Sequence, residues 1–253
     1  MKEKIAAFFE SIVHRAIQQH ENTQAWKRKN QSPQVQALVR KAYLDNRARV
    51  LNNERIPTYR ESGFRIYSQY DEDGLILYIL SIIGIKDYTC VEIGAGNGIW
   101  CSNTANLIHN MGFRGLLIEA SDAIHKAKNY YDQQMITSIA PPKTVQLMVT
   151  AENIDAEIEK AGFTGEVDFL SLDIDGNDFW VLQAIETIQP RVILIEVHVE
   201  FGMNNAIVPY DPDFAPGGDG EVYRGASPVA FNNLLKEKGY RLVASNIYGI
   251  NHF

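Results

Sequence analysis

Apolar positions along the chain switch between two spacings. Ile5, Phe8, Phe9, Ile12, Val13 and Ile17 recur every three or four residues, as along one face of a helix. Ser32-Pro33 opens a second such stretch through Val35, Leu38, Val39, Ala42 and Leu44, with Ser as the cap and Pro in the first turn. From Tyr67 onward, short apolar runs alternate with helical patterns. The runs at 89–93, 115–119, 145–150, 167–173 and 191–197 predict strands, with a last strand signal at 240–244. The stretches 71–83, 103–111, 153–161, 179–188 and 227–238 predict helices, and residues 250–253 again read as strand. This alternation implies an α/β domain built on a mostly parallel sheet covered on both faces. It divides the chain into a helical extension over 1–60 and a main domain over 61–253. The helices of the extension either cover the domain or join two copies in a homodimer.

Ligands of such sheets bind beyond the carboxyl ends of the strands, near the switch in strand order. Those ends carry acids here: Glu92, Glu119, Asp173 with Asp175, and Glu196. The segment 201–224, with Pro209, Pro212, Pro216 and Gly217-Gly218, is long for a connection and reads as a substrate-side loop.

Composition narrows the class. The 253 residues are 45% hydrophobic and 22% charged, as in an ordinary globular protein. No apolar run reaches the roughly 18 residues of a membrane span. The N-terminal apolar segment is interrupted by Glu10 and His14 and reads as a helix rather than a secretion signal. Two cysteines, Cys90 and Cys101, are too few for a disulfide framework and fit reduced thiols in a cytoplasmic protein. A net charge of −7 argues against a nucleic-acid partner, whose phosphates meet basic faces. Lys27, Arg28, Lys29, Arg40, Lys41, Arg47 and Arg49 make the N-terminal region the most basic, a pattern that predicts a solvated helix face.

The first strand runs into Glu92-Ile93-Gly94-Ala95-Gly96-Asn97-Gly98 and then a helix. Glycines there let a backbone turn approach a ligand closely. Nicotinamide dinucleotides favour G-x-G-x-x-G, and the third glycine here comes one residue early. A carboxylate at Glu92 also suits a cationic ligand better than a pyrophosphate. S-adenosylmethionine (SAM), with its ammonium and sulfonium, is such a ligand. Glu119, ending the next strand, can accept both ribose hydroxyls, although a dinucleotide offers ribose hydroxyls too. An NAD-dependent oxidoreductase is therefore the rival enzyme class, and a SAM-binding module without turnover the rival non-enzyme.

The segment Glu92-x-Gly94-x-Gly96-x-Gly98 resembles motif I of class I SAM-dependent methyltransferases, and Leu117-Ile118-Glu119-Ala120 resembles their motif II. Ser68-Gln69-Tyr70-Asp71-Glu72-Asp73-Gly74, Leu172-Asp173-Ile174-Asp175-Gly176-Asn177-Asp178 and Ile195-Glu196-Val197-His198 follow an order similar to the FkbM-like group, which includes O-methyltransferases of sugars and natural products. The resemblance covers roughly 65–250. It implies a Rossmann-like three-layer sandwich. It also implies a methionine end lined by Glu92, Gly94 and Gly96, with Ala95 and Asn97 between and beside them. Glu119 would hold the ribose, and Ala120 and Ser121 would lie beside the adenosine. Gln69 and Asp71 can reach the same cofactor or cap the following helix.

A hydroxyl becomes a good methyl acceptor when a base takes its proton or a cation lowers its pKa. Asp173, Asp175 and His198 are the candidate catalytic groups. Asp173, Glu196 and His198 are candidate ligands for Mg²⁺ or Mn²⁺, which favour oxygen donors. Metal-dependent catechol and macrolide sugar O-methyltransferases are similar, but their second cluster usually pairs Asp with Asp or Asn, where this chain has Glu196-Val197-His198. Trp100, Trp180, Tyr210 and Tyr223 can stack on a planar or sugar substrate, and Arg224 can meet an anionic group on it. A small molecule or glycan is the expected substrate.

Overall fold

The computed structural model describes residues 32–214 and 225–253. The segment 5–17, Tyr223 and Arg224 lie outside the described residues. Helix α1 (Pro33–Leu51) starts where expected, with the Ser32 hydroxyl accepting from Val35 N at 3.2 Å and Pro33 in the first turn. After a single turn, α2 (Tyr59–Ser62), come α3 (Glu72–Ile83), β1 (Thr89–Ile93), a π-helical turn (Leu107–Met111) and β2 (Arg114–Glu119). Then follow α4 (Ile124–Gln133), β3 (Lys143–Gln146), α5 (Ile154–Lys160), β4 (Gly165–Val167), β5 (Phe169–Leu172) and α6 (Asp178–Ala184). The chain closes with β6 (Ile188–Pro190), β7 (Ile193–Glu196), a 3₁₀ turn (Val199–Phe201), α7 (Pro228–Glu237) and β8 (Asn251–His252).

The main sheet has the order β3-β2-β1-β5-β7-β8, parallel except for β8. Side chains alternate across it, and the two faces build separate cores. Cys90, Leu117, Phe169 and Leu194 face one side, packed with Tyr43, Leu75, Leu80 and Tyr131 of α1, α3 and α4. Val91, Ile93, Leu116, Ile118, Leu170, Leu172, Ile193 and Ile195 face the other, packed with Ile154, Val181, Leu182 and Phe231 of α5, α6 and α7. The result is a three-layer sandwich. The sheet reverses its order between β1 and β5, so the crevice falls at their carboxyl ends.

Helix α1 lies against the domain. Val39 and Tyr43 are buried, and the Arg40 guanidinium donates to the Asn110 carbonyl at 2.7 Å. Arg47 donates to the Ile82 carbonyl at 2.9 Å. Two cations of the basic region therefore cap the carbonyls that end the π-turn and α3, instead of facing only solvent. No helix among the described residues is long and apolar enough to cross a membrane.

Several elements differ from the sequence pattern for identifiable reasons. The run 167–173 breaks at Asp168, whose buried carboxylate accepts from Lys86 N, Asp87 N and the Arg191 guanidinium, each at 2.9 Å. The helix expected over 179–188 stops at Ala184, because Asp155 takes the N–H groups of Glu186 and Thr187. Residues 240–244 do not form a strand of the sheet. They run beside the chain end, with Val243 N donating to Phe253 O at 2.8 Å. Helix α4 carries no plain sequence signal: it has no side-chain cap, and its buried stripe of Ile124, Ala127, Tyr130 and Tyr131 is interleaved with polar residues.

Candidate functional site

The crevice at the carboxyl edge is a cavity of about 310 Å³. Residues 94–96 line its centre. Ile118, Glu119, Ala120 and residues 147–149 line one end, and Gln69, Trp100 and Cys101 with Asp173, Ile174, Asp175, Asn177 and Phe214 line the rest.

The glycines of the first turn have different reasons. Gly94 has φ +84°, and a Cβ there would fall on the Asp173 carbonyl oxygen, so this glycine lets β1 and β5 meet at the crevice floor. A Cβ on Gly98 would press at 2.7 Å on Ala127 of α4, so this glycine serves packing. Gly96 N donates to Glu119 Oε2 at 2.8 Å, and Ser121 N donates to Oε1 at 2.9 Å. The Glu119 carboxylate is thereby fixed at the cavity wall with further acceptor positions open.

Glu92, Asn97 and Ser121 do not line the cavity. Glu92 shares the face of Cys90, because strand side chains alternate, and so it points beneath the turn rather than along the strand end. Its oxygens accept from Ser102 Oγ at 2.7 Å, Asn103 N at 2.7 Å and Thr104 Oγ1 at 2.6 Å. Burial raises its pKa, and those bonds oppose the rise. Asn97 Oδ1 accepts from Ile99 N and Trp100 N, which makes it a turn cap. Ser121 Oγ accepts from Ala123 N at 3.3 Å, outside the lining. Gln69 does line the cavity. Asp71 does not: its Oδ1 accepts from Ile247 N at 3.0 Å.

Three acids converge beyond β5 and β7. Carboxylate oxygens of Asp173, Asp175 and Glu196 lie within 4.8 Å of one another. Burial raises the pKa of Asp173 well above the usual carboxylate range, and the neighbouring charges of Glu196, Asp178 and Asp175 add to it. Glu196 is raised too, chiefly by burial. The closeness of the two carboxyls favours the protonated form of Asp173. Asp175 has φ +57°, on a turn held by the buried Asp178, which accepts from Ile174 N at 2.7 Å and Gly176 N at 2.8 Å.

His198 is not among the three residues whose ligand atoms converge, although its charge acts on Glu196. The chain leaves β7 at Glu196 and bends into the 3₁₀ turn, so the ring is carried to Glu200, with Nδ1 2.8 Å from Oε1. Trp180 and Tyr210 are also committed elsewhere. Trp180 Nε1 donates to Val208 O at 2.8 Å, and the Tyr210 hydroxyl donates to the Glu152 carboxylate. Together with Asn177 Nδ2, which donates to Asp211 O at 2.7 Å, they tie residues 208–211 to the site. Phe214, which packs on Gly176 and lines the cavity, carried no sequence signal; neither did Met148.

A glycine turn after the first strand, an acid ending the second and an acid group beyond the switch point define a Rossmann-like SAM-dependent methyltransferase. The model of the methyltransferase FkbM domain matches residues 36–242, and the chain belongs to that family. No curated protein matches it in a sequence comparison. Among solved structures it is similar to the citrinin polyketide synthase CMeT domain, at 13% identity and a TM-score of 0.44, covering 74% of this chain and 53% of that one. It is also similar to the mitomycin 7-O-methyltransferase MmcR, at 13% identity and a TM-score of 0.39, covering 88% and 71%. A SAM-dependent methyltransferase from Aquifex aeolicus gives 13%, 0.39, 81% and 97%. The chain thus spans about half the length of the first of these.

Proposed function

We propose that this methyltransferase transfers the methyl group of SAM to a hydroxyl of a sugar, glycan or related small molecule, in a cytoplasmic setting. The observation that carries the reading is the convergence of Asp173, Asp175 and Glu196 beside the cavity. Glu119, Ala120 and residues 147–149 would hold the adenosine of SAM, and residues 94–96 its methionine. SAM bound there would supply an activated methyl group to the acceptor hydroxyl, with the C–S bond electrons leaving on the sulfide as the new C–O bond forms. Holding the two partners in line is a large part of the rate enhancement. The hydroxyl proton passes to the Asp173–Glu196 pair, whose raised proton affinity brings a carboxylate base closer to working pH.

The same three acids fit Mg²⁺ or Mn²⁺, since they offer only oxygen donors and their mutual repulsion favours a cation among them. Bound there, the ion would lower the pKa of the hydroxyl. Asp175 takes the place that the sequence assigned to His198.

Two measurements test the reading. With radiolabelled SAM, turnover is expected on members of a panel of free sugars, glycosides and sugar phosphates. Label appearing only on amines or carboxylates would overturn it. Activity is expected to fall on chelation and return with Mg²⁺ or Mn²⁺; full activity in chelator would leave the acids as bases alone. For the cofactor, Glu119→Ala is expected to weaken SAM binding by about 1–3 kcal/mol through lost charge-assisted bonds to the ribose. Unchanged calorimetric affinity would remove Glu119 from that role.

A further inference from the structure

The charge of the cavity is one-sided. Its lining carries Glu119, Asp173 and Asp175 and, among the described residues, no lysine, arginine or histidine. SAM is not one-sided. Its sulfonium and ammonium are cations that acids can face, but its methionine also ends in a carboxylate. A carboxylate taken out of water needs a cation or donors in return.

With the adenosine along Glu119, the amino-acid end of the cofactor would fall beyond residues 94–96, and Gln69, Trp100 and Cys101 also line the cavity. Arg65 stands beside Trp100. Its guanidinium carbon is 5.7 Å from the centroid of the Trp100 ring, within the range of a cation–π contact. Arg65 is exposed and, among the described residues, makes no ion pair with any carboxylate. Its charge also opposes the rise that burial gives the pKa of the Cys101 thiol, the next residue of the cavity lining.

Both partners are held from below. Trp100 is 49% exposed, an unusual position for a large ring, and its backbone is pinned by Asn97 Oδ1 at 2.8 Å. The backbone just after Arg65 is gripped by Asp73, whose Oδ2 accepts from Ile66 N at 2.7 Å, Tyr67 N at 2.6 Å and Ser68 N at 2.9 Å. A guanidinium stacked near an aromatic ring on an anchored backbone loses less freedom when its planar fork meets a carboxylate.

We propose that Arg65, positioned over Trp100, binds the methionine carboxylate of SAM. This rests on the proposed placement of the cofactor and adds the group that recognises its anionic end.

The test is calorimetric titration of the full chain with SAM and with decarboxylated SAM, which lacks only that carboxylate. Wild type should bind SAM more tightly. Arg65→Ala should weaken SAM roughly 10- to 100-fold and leave decarboxylated SAM within about threefold, so that the gap closes. Arg65→Lys should recover part of the loss, as a point charge without the fork. Unchanged SAM affinity in Arg65→Ala would overturn the proposal and leave Arg65 to the acceptor or to solvent. An equal loss for both compounds would overturn it as well, because the effect would not lie at the carboxylate. A wild type that binds neither compound would instead refute the cofactor placement itself.

Discussion

Asp173→Asn is expected to lower kcat by about 10²- to 10⁴-fold while SAM affinity stays within about threefold of wild type. The substitution keeps the shape of the side chain and removes its charge and basicity. Gly94 packs against the backbone carbonyl of residue 173, not against its side chain, so the turn that holds the cofactor is undisturbed. Steady-state rates at saturating SAM, with calorimetry for the cofactor, separate the two effects. His198→Ala supplies the contrast. Its ring sits against Glu200 and outside the acid cluster, so its kcat is expected to remain within about threefold of wild type. Full activity in Asp173→Asn with collapse in His198→Ala would move the catalytic centre to the histidine.

That contrast shows what the sequence discloses and where it stops. The layers were legible because strand and helix periods are local, and each apolar run carries its own record of which faces are covered. The glycine turn and the acids at strand ends were legible because they stand at fixed places relative to those runs. Side-chain direction was not. Glu92 and Asp173 both stand within one residue of the carboxyl end of a strand, yet one turns under the backbone to three donors and the other borders the cavity. The His198 spacing fits a two-residue repeat with Glu196, but the repeat holds only while the strand continues, and β7 ends at Glu196. The broken strands have the same kind of cause. Asp168 and Asp155 capture backbone donors from segments distant in sequence, which no local pattern announces.

Asp73→Ala is expected to cost about 3–6 kcal/mol of folding stability, the largest loss predicted for any single side chain here. The carboxylate is fully buried, and one oxygen collects three consecutive N–H groups, of Ile66, Tyr67 and Ser68, plus the Ser68 hydroxyl. Alanine leaves those donors buried without an acceptor, at roughly 1–3 kcal/mol each before relaxation. Urea denaturation at constant pH measures the loss, and a cost below about 1 kcal/mol would mean that the segment rearranges freely. The same residue gives a pH signature. Burial raises its pKa to about 6, against the pull of those bonds, and Oδ1, which has no hydrogen-bond partner among the described residues, is the oxygen left to carry the proton. The folded state therefore binds this proton more tightly than the unfolded chain. The stability it contributes is complete below about pH 4 and lost as the pH rises through about 6. From pH 5 to pH 7 the wild type should lose roughly 1 kcal/mol from this group. Asp73→Asn cannot titrate and should not lose it, so the difference between the two proteins should shift by that amount. A parallel pH dependence would show that the side chain stays ionised. Because Arg65 and Gln69 flank the gripped segment, Asp73→Ala should also weaken SAM binding at temperatures where the protein is still folded. A stable fold with a loosened cofactor wall would place the function of this buried acid in holding the rim of the site.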